Sequence, residues 1–275
     1  MHLARRLTNL CRYLAGELQR LRLRLHLGWS AVVALLFGVV ALSASLVTLG
    51  GVTEDVTQHN GLSRSDASHL SVLVRHRSDV LVHTSKLLTD VGAVPVLLLL
   101  AAAAAAVLWY RGLPLGAALS PAFALGVAGT TVAIVKHVVG RSRPPVSLHL
   151  VSERDASFPS GHATDSTAIL LTLALVIAVF VLRRPLTRAL TVAASGLLAV
   201  GIGASRLVLG VHWPTDVLAG WALGMSIALL VTMVTAVAGR GLRGTGTPRH
   251  LGRVPSLVLR VLQAQRAQST EAVAA

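Results

Sequence analysis

Three short polar clusters break an otherwise apolar sequence: KHVVGRSRPP from Lys136 to Pro145, FPSGHATD from Phe158 to Asp165, and SRLVLGVHWPTD from Ser205 to Asp216. Lys136, Arg143 and Arg206 supply three cations, and the planar guanidinium forks of the two arginines match the oxygens of a phosphate group. Ser160 and Gly161 stand just before a helix start near His162, where free backbone N–H groups and the positive end of the dipole form an anion cradle. His212 and Asp216 are four residues apart around Pro214, a spacing that suits the first turn of a helix. There the carboxylate can hold one imidazole nitrogen and leave the other as nucleophile or base. His162 adds a second imidazole beside the cradle. Two histidines, one oriented by a carboxylate, next to three cations are equipped for phosphoryl transfer. The sequence has no cysteine nucleophile in these clusters, no His/carboxylate group spaced for a metal pair and no Walker-type glycine loop.

The elements that position these clusters are set by composition. Of 275 residues, 53% are hydrophobic and 13% charged, where a soluble domain carries roughly 25% charged; mean hydropathy is +0.70. So few charges cannot cover a water-facing surface, which excludes an ordinary cytosolic enzyme, a disordered tail protein and a collagen-like fibre. Six stretches approach the ~20 apolar residues that cross a bilayer: 29–49, 91–110, 115–136, 163–182, 188–209 and 216–238. The expected fold is therefore all-α and polytopic, with six transmembrane helices. The first stretch exceeds the h-region of a signal peptide and reads as an uncleaved anchor. Pro121 is expected to kink the third span. Gly220 and Gly224 form a small-xxx-small pair that suits helix packing.

Charge sets the orientation. Sixteen of the 25 Lys and Arg fall in the termini, at Arg111 and around residues 183–188; the other nine lie in or beside loops 50–90, 137–162 and 206–215. Both termini are thus expected in the cytoplasm and the three polar clusters on the outer face. The net charge of +14 does not indicate nucleic-acid binding, because the arginines sit mainly between apolar spans and aromatics are scarce. Residues 1–28 read as a basic amphipathic segment suited to an anionic inner leaflet, or as a charged anchor that fixes topology. Residues 29–239 read as the membrane domain and 240–275 as a basic cytoplasmic tail. Within loop 50–90 the VLVHTSKLLTDVG portion is expected to form an outer helix over the site. Cys11, the sole cysteine, can form no intrachain disulfide.

Lys136 with six residues to Arg143-Pro144, then Pro159-Ser160-Gly161-His162, then Ser205-Arg206 with five residues to His212 and three more to Asp216 resembles the three-part signature of the type 2 phosphatidic acid phosphatases, or lipid phosphate phosphatases. The resemblance covers about residues 115–225, and six spans is the usual count of that family's membrane branch. It implies that His212 attacks phosphorus and carries a phosphohistidine, with Asp216 orienting it. It implies that His162 protonates the leaving oxygen and then helps water attack. Lys136, Arg143, Ser160, Gly161 and Arg206 would hold the phosphate oxygens, with no metal or cofactor. The implied partner is a lipid phosphate in the bilayer: undecaprenyl pyrophosphate, phosphatidic acid or phosphatidylglycerophosphate. Two further readings stay open: a lipid-linked phosphotransferase on the same scaffold, and a non-catalytic lipid-binding or transport protein. The soluble vanadium haloperoxidase branch is disfavoured by the six spans.

Other polar residues have plainer readings. His137 is expected to face the headgroups. Arg141 and Arg154 read either as a second phosphate subsite or as leaflet anchors. Asp165 reads as a helix-start carboxylate or a brace for an arginine. His59, His69, His76 and His83 recur without metal spacing and are expected to be solvated. Trp29, Trp109 and Tyr110 fall at span edges, as interface anchors do.

Overall fold

The computed structural model describes residues 29–241 and four isolated positions nearer the N-terminus (6, 16, 17 and 19). The basic segment 1–28, with Cys11, and the tail beyond 241 otherwise lie outside the described residues. Within residues 29–241 eight α-helices follow one another: α1 Trp29–Thr57, α2 Asp66–Arg75, α3 Asp79–Val91, α4 Val94–Tyr110, α5 Leu115–Val139, α6 Gly161–Phe180, α7 Pro185–Val208 and α8 Pro214–Gly241. Short 3₁₀ turns occupy Gly61–Ser65 and Val146–Leu148. No strand occurs among the described residues.

Five helices (α1, α5, α6, α7 and α8) are long and apolar enough to span a bilayer individually. The sixth expected span is a bent pair: α3 and α4 meet at 52°. The helix proper begins at Val94 instead of residue 91, since Gly92 closes α3 and Pro95 opens α4. At 17 residues it is about 25 Å long, a little under a hydrocarbon core. The first span runs to Thr57, eight residues past the expected end, through Gly50, Gly51, Glu54 and Asp55. The helix expected over 80–92 is present as α3, and another short helix, α2, precedes it. Proline at the first turn of α7 and α8 sets those starts, where its missing N–H costs no bond. Pro121 lies inside a continuous helix.

Helix α6 is the centre of the bundle, packed against α5, α7 and α8 and buried at nearly every position from Ala163 to Ala178. Between α6 and α8 the small residues decide the distance. A β-carbon on Gly220 would come 2.8 Å from both Ser160 O and Ala163 Cβ, and one on Gly224 would come 2.5 Å from Thr164 O. This is the close backbone approach that a small-xxx-small pair permits. Leu97, Ala101, Leu125, Ile169, Leu170, Ala199 and Ile202 join α4, α5, α6 and α7 in one core. Helix α1 lies at the rim and is tied to α8 by Ser45 Oγ, which donates to Ala222 O at 2.7 Å. Outward-facing Phe37, Leu99, Phe123 and Leu197 are exposed, forming the apolar exterior that lipid covers.

Candidate active site

All three polar clusters gather at one end of the bundle. Lys136 is on the last turn of α5, which Gly140 ends in the left-handed conformation (φ +59°) with its N–H donating to Lys136 O. Arg143 follows in the loop. Ser160 is the N-cap of α6, and Gly161 and His162 are its first two residues. Arg206 is on the last turn of α7 and is 2% exposed. Gly210 (φ +75°) then turns the chain so tightly against Leu148 O that a β-carbon would lie 2.2 Å from it. His212 follows in that turn, and Asp216 lies in the first turn of α8.

The hydrogen bonds around His212 fix its state. Nδ1 is 3.4 Å from Asp216 Oδ2, and Nε2 is 3.1 Å from Arg143 Nη1. An ionised carboxylate can only accept and a guanidinium can only donate. The proton therefore sits on Nδ1, and Nε2 presents a lone pair toward the arginine. Burial pushes the ring down to about 4, more than the hydrogen bond and charge of Asp216 raise it. His212 is therefore neutral near pH 7.

Asp216 is itself held on both oxygens. Oδ2 accepts from the Trp213 backbone N–H at 2.8 Å, a carboxylate three residues into the helix reaching back to its cap. Oδ1 accepts from Arg141 Nη1 at 2.5 Å. The Asp216 carbonyl accepts from Ser160 N at 3.0 Å, which joins the dyad to the anion cradle.

The three cations share two carboxylates. Asp155 accepts from Lys136 at 2.5 Å and from Arg143 Nη2 at 2.6 Å. Glu153 accepts from Arg206 Nη2 and lies 3.5 Å from Arg143 Nη2. Burial raises the Asp155 carboxyl, but the hydrogen bonds and charges of Lys136 and Arg143 outweigh it and hold the group at about 2. Arg206 Nη1 also donates to Thr89 Oγ1 on α3. Two buried donors in this region, Ser160 Oγ and Arg206 Nε, have no hydrogen-bond partner among the described residues. The arrangement can therefore bind an oxyanion with cations and hydroxyls and present a neutral imidazole lone pair to it.

All eight residues singled out in the sequence lie at this end of the bundle, and most join one bonded network. Gly161 makes no close side-chain demand: a β-carbon there would meet nothing nearer than Val132 Cγ1 at 3.7 Å. His162 ring nitrogens make no hydrogen bond among the described residues; the ring lies under the α3–α4 elbow, where a β-carbon on Gly92 would come 3.4 Å from Cδ2.

Several residues were missed or misread. Arg141 is neither a second phosphate subsite nor a leaflet anchor: both terminal nitrogens of its guanidinium are taken by Asp66, Thr215 and Asp216. Its place inside the first cluster was the available signal. Asp66, Thr89, Glu153 and Asp155 gave none, because their partners lie at irregular separations of 10 to 149 residues, with no pattern to read. Asp165 is buried, with Oδ1 unpartnered, and braces no arginine among the described ion pairs. Arg154 and His137 are exposed, as are His59, His69, His76 and His83. Trp109 and Tyr110 stand exposed at the end of α4.

The sequence pattern of the PAP2 superfamily matches residues 117–240. A lipid A 1-phosphatase of Rhizobium johnstonii is 32% identical over 195 residues, covering 65% of this chain and 73% of that protein. A phosphatidylglycerophosphatase B of Bacillus subtilis is 34% identical over 98 residues, 36% of this chain and 48% of that protein. A decaprenylphosphoryl-5-phosphoribose phosphatase of Mycolicibacterium smegmatis is 36% identical over 97 residues, 34% of this chain and 47% of that protein. Among solved structures, a transmembrane PAP2-type phosphatidylglycerolphosphate phosphatase from Bacillus subtilis superposes with a TM-score of 0.61 at 23% identity, covering 78% of this chain and 98% of that one.

Proposed function

The chain belongs to the PAP2 superfamily, and from that premise we propose that it removes phosphate from a lipid phosphomonoester or pyrophosphate through a phosphohistidine on His212. It is a multi-pass membrane phosphatase. The observation that carries the mechanism is the setting of His212, with Nδ1 beside the Asp216 carboxylate and Nε2 beside the Arg143 guanidinium, which assigns the proton to Nδ1.

In the first step Nε2 forms a bond to phosphorus while the bond from phosphorus to the lipid oxygen breaks. His162 gives its proton to that leaving oxygen. The imidazole becomes cationic, and Asp216 balances the charge through Nδ1–H. In the second step His162 takes a proton from water, the water oxygen bonds to phosphorus, and the N–P bond breaks, releasing inorganic phosphate and restoring His212. Lys136, Arg143, Arg206, Ser160 Oγ and the Gly161 N–H hold the phosphoryl oxygens. Losing one such donor costs on the order of 3 kcal/mol of transition-state stabilisation. A phosphate would replace Glu153 and Asp155 on the same cations. Those fixed cations supply the charge that a metal ion supplies in other phosphatases, so activity should survive chelation.

The substrate reading rests on relatives named as phosphatases of lipid A, phosphatidylglycerophosphate and decaprenylphosphoryl-5-phosphoribose. Undecaprenyl pyrophosphate, phosphatidic acid and phosphatidylglycerophosphate are the proposed candidates. The distribution of Lys and Arg supports a reading with both termini in the cytoplasm and the site at the outer leaflet.

The test is phosphate release by detergent-solubilised protein in excess EDTA, with those lipids and a soluble phosphomonoester, beside His212→Ala. Release that resists EDTA and vanishes in the variant supports the reading. Equal release from the variant, or release only when metal is added, overturns the mechanism. Phosphate delivered to an acceptor other than water would identify a transferase.

A further inference from the structure

The outer helix α2 reaches the catalytic dyad through a chain of buried charges. Asp66 opens α2 and is 3% exposed. Its Oδ2 accepts from Arg141 Nη2 at 2.7 Å, and Oδ1 accepts from the Thr215 N–H at 3.0 Å. Thr215 Oγ1 also donates to Asp66 Oδ2. Arg141 Nη1 continues to Thr215 Oγ1 at 2.8 Å and Asp216 Oδ1 at 2.5 Å, and the guanidinium lies 5.8 Å from the centroid of the Trp213 ring. The series His212, Asp216, Arg141, Asp66 thus alternates in role: imidazole, carboxylate, guanidinium, carboxylate.

Resting on the reading of His212 as the nucleophile, we propose that Asp66 is a positioning residue for that histidine, acting through Arg141 and Asp216 as a charge-balanced clasp. Alone, Arg141 would draw the Asp216 carboxylate away from His212 and cancel the negative charge that must balance the phosphorylated, cationic ring. Asp66 meets the other edge of the same guanidinium fork and divides its charge between two carboxylates. Its second oxygen caps an N–H in the first turn of α8, so the clasp also fixes the axial position of Asp216. Neither the Asp66 nor the Arg141 side chain bonds to Lys136, Arg143 or Arg206 among the described residues. The effect therefore falls on the charge that develops at His212 and not on substrate capture.

The experiment compares Asp66→Asn, Asp66→Glu, Arg141→Lys and the double variant Asp66→Asn/Arg141→Lys with wild type and His212→Ala, reading kcat, KM and unfolding temperature in detergent. Asp66→Asn should lower kcat about 10- to 100-fold, as loss of a partner one shell out does, with KM nearly unchanged and folding retained. Asp66→Glu should recover part of that loss. The double variant should be no worse than the poorer single, because both break one clasp. Wild-type kcat in Asp66→Asn overturns the proposal, as does a loss that appears equally in KM or follows the unfolding temperature. If Asp66→Asn fails to fold, Arg141→Lys must show the kcat-selective loss, and its absence is equally fatal. An active wild type with an equally active His212→Ala would instead sink the nucleophile reading on which the clasp depends.

Discussion

Arg143 Nη1 lies 3.1 Å from His212 Nε2, so a residue of the α5–α6 loop selects which nitrogen of a histidine 69 positions away carries the lone pair. With Asp216 accepting at Nδ1, the ring is held in the tautomer that attack would need, its lone pair covered by Arg143 until a phosphate draws that guanidinium away. The same guanidinium is tied to Asp155 and to the Val211 carbonyl, so its position is fixed by both halves of the site.

This geometry predicts an acid limb. Burial holds His212 at about 4, and only the neutral ring can attack phosphorus. The limb of the kcat/KM profile that reports proton uptake by His212 should therefore lie at about pH 4. A limb near 6.5 would contradict the assigned state. The same depression makes the fold less stable in acid. Between the ordinary histidine value and about 4 the unfolded chain binds a proton that the folded site refuses, so stability falls as pH drops through that window.

Substitution of Gly220 should disturb packing and chemistry together. A β-carbon there meets Ser160 O and Ala163 Cβ at 2.8 Å, so Gly220→Ala must move the anion cradle or part α6 from α8. Overpacking of this kind costs about 1–3 kcal/mol, and kcat should fall with it. Gly126→Ala on α5 meets nothing within 4 Å and should change neither. Equal behaviour of the two variants would refute the packing account.

Gly161→Ala separates binding from folding. Protein atoms leave ordinary contact distances for its β-carbon, so the unfolding temperature should hold. The methyl group would instead stand at the helix start where phosphate oxygens must approach the backbone, and kcat/KM should drop by about tenfold or more. A fully active variant would remove Gly161 from the cradle.

Asp155 competes with phosphate for Lys136 and Arg143. Asp155→Asn should strengthen inhibition by inorganic phosphate, and because the carboxylate is 57% exposed the gain should stay within about fivefold. Weaker inhibition would mean that Asp155 positions the cations instead of occupying them.

The membrane architecture and the three polar clusters were legible in the sequence because each is local. A span is a run of apolar residues, and Ser160–His162 or His212–Asp216 are brought together by one helix turn. The α3–α4 break was less legible, since the apolar run from Val91 continues across Gly92 and hides a 52° bend. The clasp at Arg141 and the carboxylates of Glu153 and Asp155 lay beyond reach for another reason. Their meaning is in partners such as Asp66 and Arg206, which only the closed bundle brings within hydrogen-bonding distance.

The most direct measurement is to quench a single turnover with labelled lipid phosphate and locate the phosphoryl group on the protein. The account predicts an acid-labile, base-stable phosphoryl group on His212, formed in wild type and absent from His212→Ala. Turnover with no phosphoprotein at any quench time, or a phosphoryl group on another residue, would contradict it.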